Sequence, residues 1–382
     1  MIKVLHLSTH NEDCGIGKYQ EMFLEAMKNE EEIHNEFFEL SPNQIKVMNK
    51  NDYENAFKLL NEKLKEFDVL HIQHEYSFYW MDELERAINI AKSQGKKSIV
   101  TVHTSANVGH TKAKLTGLGP RSFLGFTKAL ISQKRFYKRF INPMKVADLI
   151  LVHNEVTKQS LVSRGVPEGI IKKIVIPVPE IDLSPKSTEI KENLKLKEGD
   201  IVYATVGFMH RFKGVTEAVR ALRYLPENYK LAIVGGLHPG TDDIAIYDKI
   251  TDLIDKLQLK DRVYITGYVA EDERMNALLR ECDACVYPYD REYYSNVSSA
   301  ALNNAFANHV PVVAYPTESF KEINTHLPVI RLTQTFAYYE LARELRNLNV
   351  VVAKADSAKF AKDFSYPIIS KELLSIYKEL QV

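Results

Sequence analysis

The chain has 382 residues, which favours two domains over one, and 45% of the residues are hydrophobic, enough to build sizeable cores. Its 50 Lys and Arg residues balance its 50 Asp and Glu residues, so overall charge excludes no partner and selects none. No apolar run approaches the roughly 18 residues that span a bilayer, so membrane contact is expected only at the surface.

Cysteine usage predicts the compartment. Cys14, Cys282 and Cys285 are an odd number, and no signal-peptide pattern opens the chain. We therefore expect a cytoplasmic protein, either free or peripheral on the inner face of the membrane. Cys282 and Cys285 have the spacing of zinc ligands, but no second pair follows them. They are predicted to be buried thiols, and no metal or cofactor is predicted.

Short β-branched runs alternate with helical patterns along the first half of the chain. The predicted strands are residues 2–8, 68–74, 98–104, 148–153 and 173–178. The first helix is predicted to begin near Lys18. This alternation predicts βαβ units and a parallel sheet in an N-terminal domain over residues 1–178.

Residues 179–198 are rich in Pro, Ser and charge, which predicts a linker. The alternation then restarts over residues 199–364. The predicted strands there are residues 201–208, 230–236, 262–268, 284–289 and 311–315. The fold class is therefore α/β with two doubly wound domains, and ligands are expected at the carboxyl ends of the strands.

Two predicted strand-to-helix loops combine glycine with cations. Gly15 and Gly17 follow the first strand, and their backbone N–H groups can approach an anion at a helix start. Arg211 and Lys213 follow the first strand of the second domain, and both can reach a diphosphate. An ordinary tight turn and two solvated cations are the alternative interpretations.

The segment SNVSSAALNNAFANHVPVVA, residues 295–314, places small polar residues before an apolar helical run and a strand. Asn296, Ser298 and Ser299 supply N-cap oxygens and free backbone donors. Ordinary capping explains one such residue. The cluster predicts a second place for phosphate oxygens.

Polar residues also end two neighbouring strands of the first domain. His103 closes the predicted strand SIVTVHT, where an imidazole can donate to a sugar hydroxyl, although a structural histidine is an equal alternative. Glu75 follows the preceding strand, HIQH. In a regular strand, His71 and Gln73 lie on the face opposite His74.

Together these segments resemble retaining glycosyltransferases of the GT-B fold, family 4, over essentially the whole chain. The matching segments are CGIGKY, HIQHEY, TVHT, ADLILVHN, VGFMHRFKG, ITGYVAEDE, ACVYPY and LNNAFANHVPVVAYP. The resemblance implies two Rossmann-like domains with a cleft between them, and a C-terminal helix over residues 365–382 that packs on the N-terminal domain. It also implies an enzyme of EC class 2.4 that uses a nucleotide-sugar donor.

The resemblance and the loop positions assign candidate roles. The catalytic candidates are His103, which would position the transferred sugar, and Glu75, which would face an acceptor hydroxyl. The donor-binding candidates are Gly15, Gly17, Arg211, Lys213, Gly267, Tyr268, Val269, Asn296, Ser298, Ser299 and Asn304. The segment 267–269 would line the base, and Asn304 would lie near the ribose. Cations and the helix start, rather than a metal, would neutralise the leaving diphosphate.

Three positions depart from the family pattern. Lys213 matches the lysine of the family's glycine-arginine-x4-lysine-glycine pattern, but Phe208 stands where that pattern has arginine. Arg211 is the expected substitute. The family's two glutamates, eight positions apart, align with Asn296 and Asn304. An amide binds hydroxyl groups but offers no negative charge to an oxocarbenium-like centre.

Residues 104–147 contain nine cations and neither Asp nor Glu. Apolar residues interleave with these cations in SFLGFTKALISQKRFYKRFI, which predicts a basic amphipathic helix. We expect residues 112–145 to bind an anionic membrane surface, at roughly 1 kcal/mol per basic residue. A core-packed helix with a solvated basic face is the alternative, and nucleic acid or an anionic polysaccharide fits the same charge.

The predicted function is transfer of a sugar from a UDP- or GDP-linked donor to a lipid-linked, polysaccharide or other glycan acceptor. Retention of configuration is expected from the resemblance. Two alternatives stay open: a nucleic-acid-modifying glycosyltransferase of the same fold, and a non-catalytic partner protein with the GT-B fold.

Overall fold

The computed structural model describes residues 1–9, 14–79, 81–104, 120–237, 244–294 and 299–381, with only the backbone described for 120–125 and 300. The chain divides into two compact units. The first unit is Met1–Ile176 with Tyr366–Val382, and the second is Pro177–Ser365.

Strands and helices alternate along most of the chain. The strands are β1 (Ile2–Ser8), β2 (Ile33–Glu39), β3 (Val69–His74), β4 (Lys97–Val102), β5 (Leu149–Val152), β6 (Ile171–Lys173), β7 (Ile201–Val206), β8 (Tyr229–Val234), β9 (Val263–Ile265), β10 (Ala284–Tyr287), β11 (Val312–Ala314) and β12 (Ile330–Leu332). The helices are α1 (Gly15–Met27), α2 (Pro42–Val47), α3 (Lys50–Leu64), α4 (Glu83–Ser93), α5 (Pro120–Phe136), α6 (Asn142–Met144), α7 (Glu155–Val162), α8 (Glu189–Asn193), α9 (Val215–Leu222), α10 (Ile244–Lys256), α11 (Asp272–Arg280), α12 (Ala300–Ala307), α13 (Glu318–His326), α14 (Tyr338–Arg346), α15 (Val350–Asp363) and α16 (Tyr366–Gln381). A π-helical turn, Tyr137–Ile141, continues α5.

The first unit contains a parallel sheet in the order β2-β1-β3-β4-β5-β6. One face of this sheet is apolar and packs in a core that includes Leu5, Leu70 and Val100. The opposite face carries the buried polar side chains His6, His71, Gln73 and Thr101. Helices α1 and α16 cover that face through a cluster of aromatic side chains, Tyr19, Phe23, Tyr366 and Tyr377. A buried polar layer is therefore built into the first unit.

The second unit contains a parallel sheet in the order β12-β11-β10-β7-β8-β9. Both faces of this sheet are apolar, because alternate residues of β7 enter two separate cores. Val202 and Ala204 lie in one core, and Tyr203 lies in the other. Apolar packing on both faces is typical of parallel sheets covered by helices on each side. The predicted α/β class with two Rossmann-like units is confirmed.

Several predicted elements differ in extent from the observed ones. The strand predicted at 173–178 is β6, which ends at Lys173, and Pro177 lacks the N–H that a continuing ladder requires. The edge strands β2 and β12 were not predicted. Residues 179–198, predicted as a linker, include α8, whose Ile190 is buried in a core of the second unit. No described helix is long and apolar enough to cross a bilayer.

Candidate functional site

The strand order of the second sheet identifies the point where the connections of two neighbouring strands run in opposite directions. Strands β7 and β10 are neighbours, and the chain leaves β7 towards β8 but leaves β10 towards β11. Parallel α/β sheets bind ligands at this switch point, outside the carboxyl ends of the strands. The two loops concerned are the one from Gly207 to Gly214 and the one that follows Tyr287.

Backbone contacts hold these loops together. Gly214 has a φ of 70°, and a Cβ atom there would lie 1.9 Å from the carbonyl oxygen of Pro288. Gly235 has a φ of 143°, and a Cβ atom there would lie 2.1 Å from the carbonyl oxygen of Gly207. Only glycine permits both the positive φ and the close approach. The backbone at the carboxyl edge of the sheet is thus tightly packed.

Lys213 is a half-buried cation at this edge. Its ammonium group donates a hydrogen bond to the Tyr289 hydroxyl at 3.1 Å and lies over the rings of Tyr289 and Tyr294. Burial disfavours its charge, but the two tyrosine oxygens favour it more strongly, so the pKa of Lys213 is raised. Among the described residues no carboxylate forms an ion pair with it. The site therefore retains a positive charge suited to an anion.

The start of α12 lies next to this lysine. The Tyr289 hydroxyl is 2.9 Å from Ser299 Oγ, which connects Lys213 to the N-cap residue of the helix. Ser299 makes no side-chain cap hydrogen bond to the first turn of α12. Backbone donors at a helix start that lack a cap are available to an anion. Asn296 and Ser298, predicted for the same role, lie outside the described residues.

Arg211 does not join this group. Its guanidinium lies 4.4 Å from the centroid of the Phe212 ring, and the side chain is exposed. It lines a surface concavity of about 430 Å³ together with His210 and Lys249. No contact among the described residues connects Arg211 with Lys213, and the binding of one diphosphate by both side chains stays a prediction.

The predicted base-binding segment contains an exposed aromatic pair. Tyr268 stacks on Phe208, with ring centroids 5.8 Å apart and an interplanar angle of 10°, and each residue is 41% exposed. A Cβ atom added at Gly267 would have no neighbour within 4 Å, whereas Val269 is buried in a core. Sequence reasoning treated Phe208 only as a missing arginine. Its aromatic character was the signal that pointed to a stacking surface.

Asn304 lies on the second turn of α12. Its side chain is half-buried, and its backbone carbonyl accepts hydrogen bonds from Asn308. Among the described residues its side-chain amide has no hydrogen-bond partner. The amide is therefore free to bind hydroxyl groups.

The glycine loop of the first unit ends at the start of α1. Gly15 is the first residue of the helix and is exposed, and a Cβ atom added there would have no neighbour within 4 Å. Gly17 is buried. The N-cap residue Cys14 makes no side-chain cap hydrogen bond, and the first turn contains no acidic residue. The helix start is thus compatible with the predicted anion contact.

Glu75 follows β3 and is hydrogen-bonded by the loop after β4. The Thr104 hydroxyl donates to Glu75 Oε2 at 2.7 Å. Burial raises the pKa of Glu75 above its usual value, although the Thr104 hydrogen bond opposes this. A carboxyl group with a raised pKa is suited to proton transfer near neutral pH.

His103 is held by hydrogen bonds at both ring nitrogens. Its Nε2 is 2.8 Å from Gln73 Oε1, and its Nδ1 is 3.2 Å from His153 Nε2. The Tyr19 ring packs edge-on against it at 4.9 Å. Burial, with a further contribution from neighbouring histidines, lowers the pKa of His103 well below its usual value. The imidazole is therefore neutral at neutral pH.

Sequence reasoning placed Gln73 and His71 on the face opposite His74, and the contacts agree. Gln73 and His71 belong to the polar layer under α1 and α16. His74 instead stacks on Tyr79 and contacts Phe140 in the apolar core. The role of His153 was missed, because nothing in the segment ADLILVHN indicates that its histidine contacts His103.

The basic segment forms a surface on the first unit. Together, α5 and the π-helical turn line a concavity of about 380 Å³ with Lys128, Ile131, Ser132, Arg135, Phe136, Arg139 and Phe140. Leu130 and Ile131 are 43% and 54% exposed. Phe136 and Phe140 are buried in the apolar core. Some aromatic side chains of the segment therefore pack in the core. Its cations Lys128 and Arg135, together with Leu130 and Ile131, are exposed on the surface. Lys112 and Lys114 lie outside the described residues.

A family model identifies the second unit. Residues 186–348 match the family described as Glycosyl transferases group 1. These residues form a glycosyltransferase group 1 domain. The domain indicates an enzyme of EC class 2.4. It contains Lys213, Tyr289 and the start of α12. No protein of curated function matches the chain in sequence.

Solved structures show the same fold over the whole chain. HepE from Anabaena in complex with UDP has a TM-score of 0.69 at 14% identity, covering 99% of this chain and 100% of HepE. A glycosyltransferase from Rickettsia africae has a TM-score of 0.69 at 16% identity, covering 100% and 98%. Sucrose-phosphate synthase from Thermosynechococcus elongatus has a TM-score of 0.68 at 17% identity, covering 100% and 99%. The chain adopts the GT-B type of fold with two Rossmann-like units.

Proposed function

We propose that the glycosyltransferase transfers a sugar from a nucleoside-diphosphate sugar to a glycan, polysaccharide or lipid-linked acceptor, with retention of configuration. The observation that carries this proposal is the half-buried Lys213 ammonium, connected through Tyr289 to the start of α12, where Ser299 makes no side-chain cap hydrogen bond. A cation beside a helix start is suited to two adjacent phosphates. The proposed donor is UDP-linked, because the similar HepE structures contain UDP and UDP-glucose.

The remaining parts of the donor would occupy the neighbouring groups. The base would stack on Tyr268 and Phe208, whose rings lie parallel and exposed. The ribose would bind the side-chain amide of Asn304, which has no hydrogen-bond partner among the described residues. No metal is required in this proposal, because Lys213 and the helix start neutralise the leaving diphosphate.

The acceptor side of the proposal involves Glu75 and His103. Glu75 would bind an acceptor hydroxyl, since its raised pKa suits proton transfer. His103 would position the transferred sugar while neutral. Retention would be tested directly by NMR, from the anomeric configuration of the first product formed.

Thermal stabilisation by UDP, UDP-glucose, GDP and ADP tests the donor site. Ligand at about 100 times its Kd should add roughly 2.7 kcal/mol to the free energy of unfolding. We expect a response to UDP compounds that is lost in Lys213→Ala and retained in Lys256→Ala, which removes an exposed cation of the same unit. Silence towards every nucleotide in a folded protein would instead favour the non-catalytic alternative.

We also propose that the concavity of α5 binds an anionic membrane surface, where a lipid-linked acceptor would be found. The supporting observation is the combination of Lys128 and Arg135 with exposed Leu130 and Ile131. The test is sedimentation with vesicles of about 30% phosphatidylserine against phosphatidylcholine alone.

Lys128→Glu/Arg135→Glu should abolish the preference for anionic vesicles. Lys58→Glu/Lys92→Glu is the matched control, because it changes the charge equally at exposed positions of α3 and α4. Equal binding to both vesicle types would reject the membrane proposal. Salt-sensitive DNA binding that the same α5 substitutions remove would favour the nucleic-acid alternative.

A further inference from the structure

A continuous hydrogen-bonded series crosses the polar face of the first sheet. It connects Asn35, His6, Gln20, Gln73, His103, His153 and the backbone carbonyl of Ile174. The series joins residues of β1, β2, β3 and α1 with residues that follow the ends of β4, β5 and β6. The series therefore contains three side-chain amides and three imidazoles, and the position of the hydrogen in one contact determines its position in the next.

The group at the end of the series fixes its direction. The Ile174 carbonyl oxygen lies 3.1 Å from His153 Nδ1 and can only accept a hydrogen. A neutral imidazole has one N–H and one acceptor nitrogen. A side-chain amide can present either end, because turning it by 180° exchanges oxygen and nitrogen at nearly the same positions.

Counting hydrogens decides between the two amide orientations. The last three contacts of the series are Gln73–His103, His103–His153 and His153–Ile174. With Gln73 Oε1 towards His103, an oxygen that can only accept lies at each end. The two imidazoles between these oxygens must then supply three hydrogens, one for each contact. Two neutral imidazoles supply only two. Either one contact lacks a hydrogen or the pair carries an extra proton. Burial opposes that proton, since it lowers the pKa of His153 to about 4.

The opposite amide orientation satisfies every contact with neutral rings. Each amide NH2 group then donates to the next residue of the series in the direction of Ile174. Each imidazole accepts a hydrogen bond at Nε2 and donates one from Nδ1 in the same direction. Gln73 donates to His103 Nε2, His103 Nδ1–H donates to His153 Nε2, and His153 Nδ1–H donates to Ile174. Each contact then has one hydrogen.

A side branch supports the same orientation. The buried Tyr377 hydroxyl lies 2.6 Å from His71 Nδ1, and Thr101 Oγ1 lies 2.7 Å from His71 Nε2. The end of the Gln73 amide that faces away from His103 lies 3.3 Å from His71 Nε2. With the Gln73 oxygen at that end, the His71 hydrogen sits on Nε2. The Tyr377 hydroxyl then donates to Nδ1, which gives its hydrogen an acceptor.

We infer that His103 and His153 are neutral Nδ1–H tautomers, and that Gln73 and His153 are positioning residues that hold His103 in this form for sugar transfer. The role in transfer rests on the proposed function, whereas the tautomers do not. In this form His103 has no N–H left for a substrate and no free nitrogen lone pair. Its contribution is a fixed ring, and proton transfer on this side is left to Glu75.

NMR of the full chain labelled with ¹⁵N-histidine tests the tautomers. Long-range ¹H–¹⁵N spectra distinguish Nδ1–H, Nε2–H and doubly protonated rings, and His103→Asn and His153→Asn assign the two signals. We expect both rings as Nδ1–H at pH 7. An Nε2–H or doubly protonated His103 would overturn the inference without any variant of Gln73.

Gln73→Glu provides an isosteric second test. A carboxylate can only accept, so it should force a hydrogen onto His103 Nε2 at pH 7, as the Nε2–H tautomer or as the doubly protonated ring. Gln94→Glu is the control, because Gln94 contacts Asn61 rather than a histidine. An unchanged Nδ1–H signal for His103 in folded Gln73→Glu would contradict the assigned direction.

The kinetic test separates positioning from the proposed function. Gln73→Glu should lower kcat at least tenfold while the KM for the donor changes little, because the proposed phosphate contacts, Lys213 and the start of α12, lie in the second unit. Unaltered kcat together with a hydrogen on His103 Nε2 would reject the positioning role. A wild-type protein with Nδ1–H rings and no transferase activity would reject the proposed function and support the tautomer assignment.

Discussion

Gly214 and Pro288 are in backbone contact, so that a Cβ atom at position 214 would lie 1.9 Å from the Pro288 carbonyl oxygen. Gly214 immediately follows Lys213 and precedes α9, and Pro288 immediately precedes Tyr289. The contact therefore brings the loop after β7 against the loop after β10. The hydrogen bond between Lys213 and Tyr289 depends on this approach.

Gly214→Ala should destabilise the second unit by several kcal/mol, because it adds both a backbone clash and the strain of a positive φ. Nucleotide binding should weaken with it, since the loop that carries Lys213 must move. The measurements are urea unfolding and UDP titration. Gly199→Ala is the matched control: Gly199 also has a positive φ, but its Cβ position is open. If Gly214→Ala lowered the free energy of unfolding only as much as Gly199→Ala does, by about 1 kcal/mol, the contact with Pro288 would add nothing to the effect of the positive φ.

Tyr289→Phe should weaken UDP binding by about fivefold, corresponding to one hydrogen bond of about 1 kcal/mol. The ring remains beneath the Lys213 ammonium, so the cation–π contact is kept while the links to Lys213 and Ser299 are lost. Isothermal titration measures the change. Tyr287→Phe is the control, because the Tyr287 hydroxyl donates to the Ala301 carbonyl instead. Equal effects of the two substitutions would argue against a specific role for Tyr289.

The fold was predictable because its signals are local. The β-branched runs of β1, β3, β4 and β7 and the helical patterns between them required no knowledge of distant contacts. The period of two in HIQHEY also separated the His71 face from the His74 face. Strands β2 and β12 escaped prediction because half-exposed and polar residues weaken their apolar pattern.

The candidate site was only partly predictable, because its contacts join distant segments. Lys213 was identified from its loop, but Tyr289, 76 positions away, was not. The partnership of His103 with His153 spans 50 positions and arises because β4 and β5 are neighbours. Sequence pattern shows which residues end a strand. It does not show which side chains then meet, since that depends on register and packing.

Phe208→Ala should weaken UDP binding by about three- to tenfold, because it removes one ring of the parallel pair with Tyr268. Stability should change little, since Phe208 is 41% exposed. Phe208→Tyr keeps the ring and should bind UDP as the wild type does. Phe208→Arg restores the residue expected from the resemblance. If Phe208→Ala bound UDP normally, the aromatic pair would have no part in base recognition.

Glu75→Gln should lower kcat by about 10²-fold or more if the carboxyl transfers a proton, because the amide keeps the shape but not the acid–base capacity. The wild-type rate should fall as pH drops through the raised pKa of Glu75, where the carboxylate is lost. Thr104→Val removes the hydrogen bond that opposes this shift, so it should move the acid limb of the profile to higher pH. An acid limb that Thr104→Val leaves unmoved would assign it to another group.

The buried histidines of the first unit should make the protein less stable in mild acid. Burial lowers the pKa of His6 and His153 to about 4 and that of His74 to about 3, below the ordinary value near 6.5. The unfolded chain therefore binds more protons than the folded chain below pH 6.5, so the free energy of unfolding falls as pH decreases. Each of these three rings changes the free energy of unfolding by up to about 1.4 kcal/mol per pH unit, so that together they change it by up to about 4 kcal/mol per pH unit. Glu75 works in the opposite direction, since its raised pKa favours proton uptake by the folded state.

Urea unfolding between about pH 7.5 and 5 measures this dependence in a range where most carboxyl groups stay ionised. Stability should be flat above about pH 7 and fall steadily below about pH 6.5. Replacing His74 with Phe, which suits its stacked contact with Tyr79, should reduce the slope by about one proton. His74 is the informative choice because both of its buried ring nitrogens lack a hydrogen-bond partner among the described residues, so the substitution breaks no hydrogen bond. A slope that is unchanged in His74→Phe would mean that His74 takes up its proton in the folded protein as readily as in the unfolded chain, which would contradict its lowered pKa.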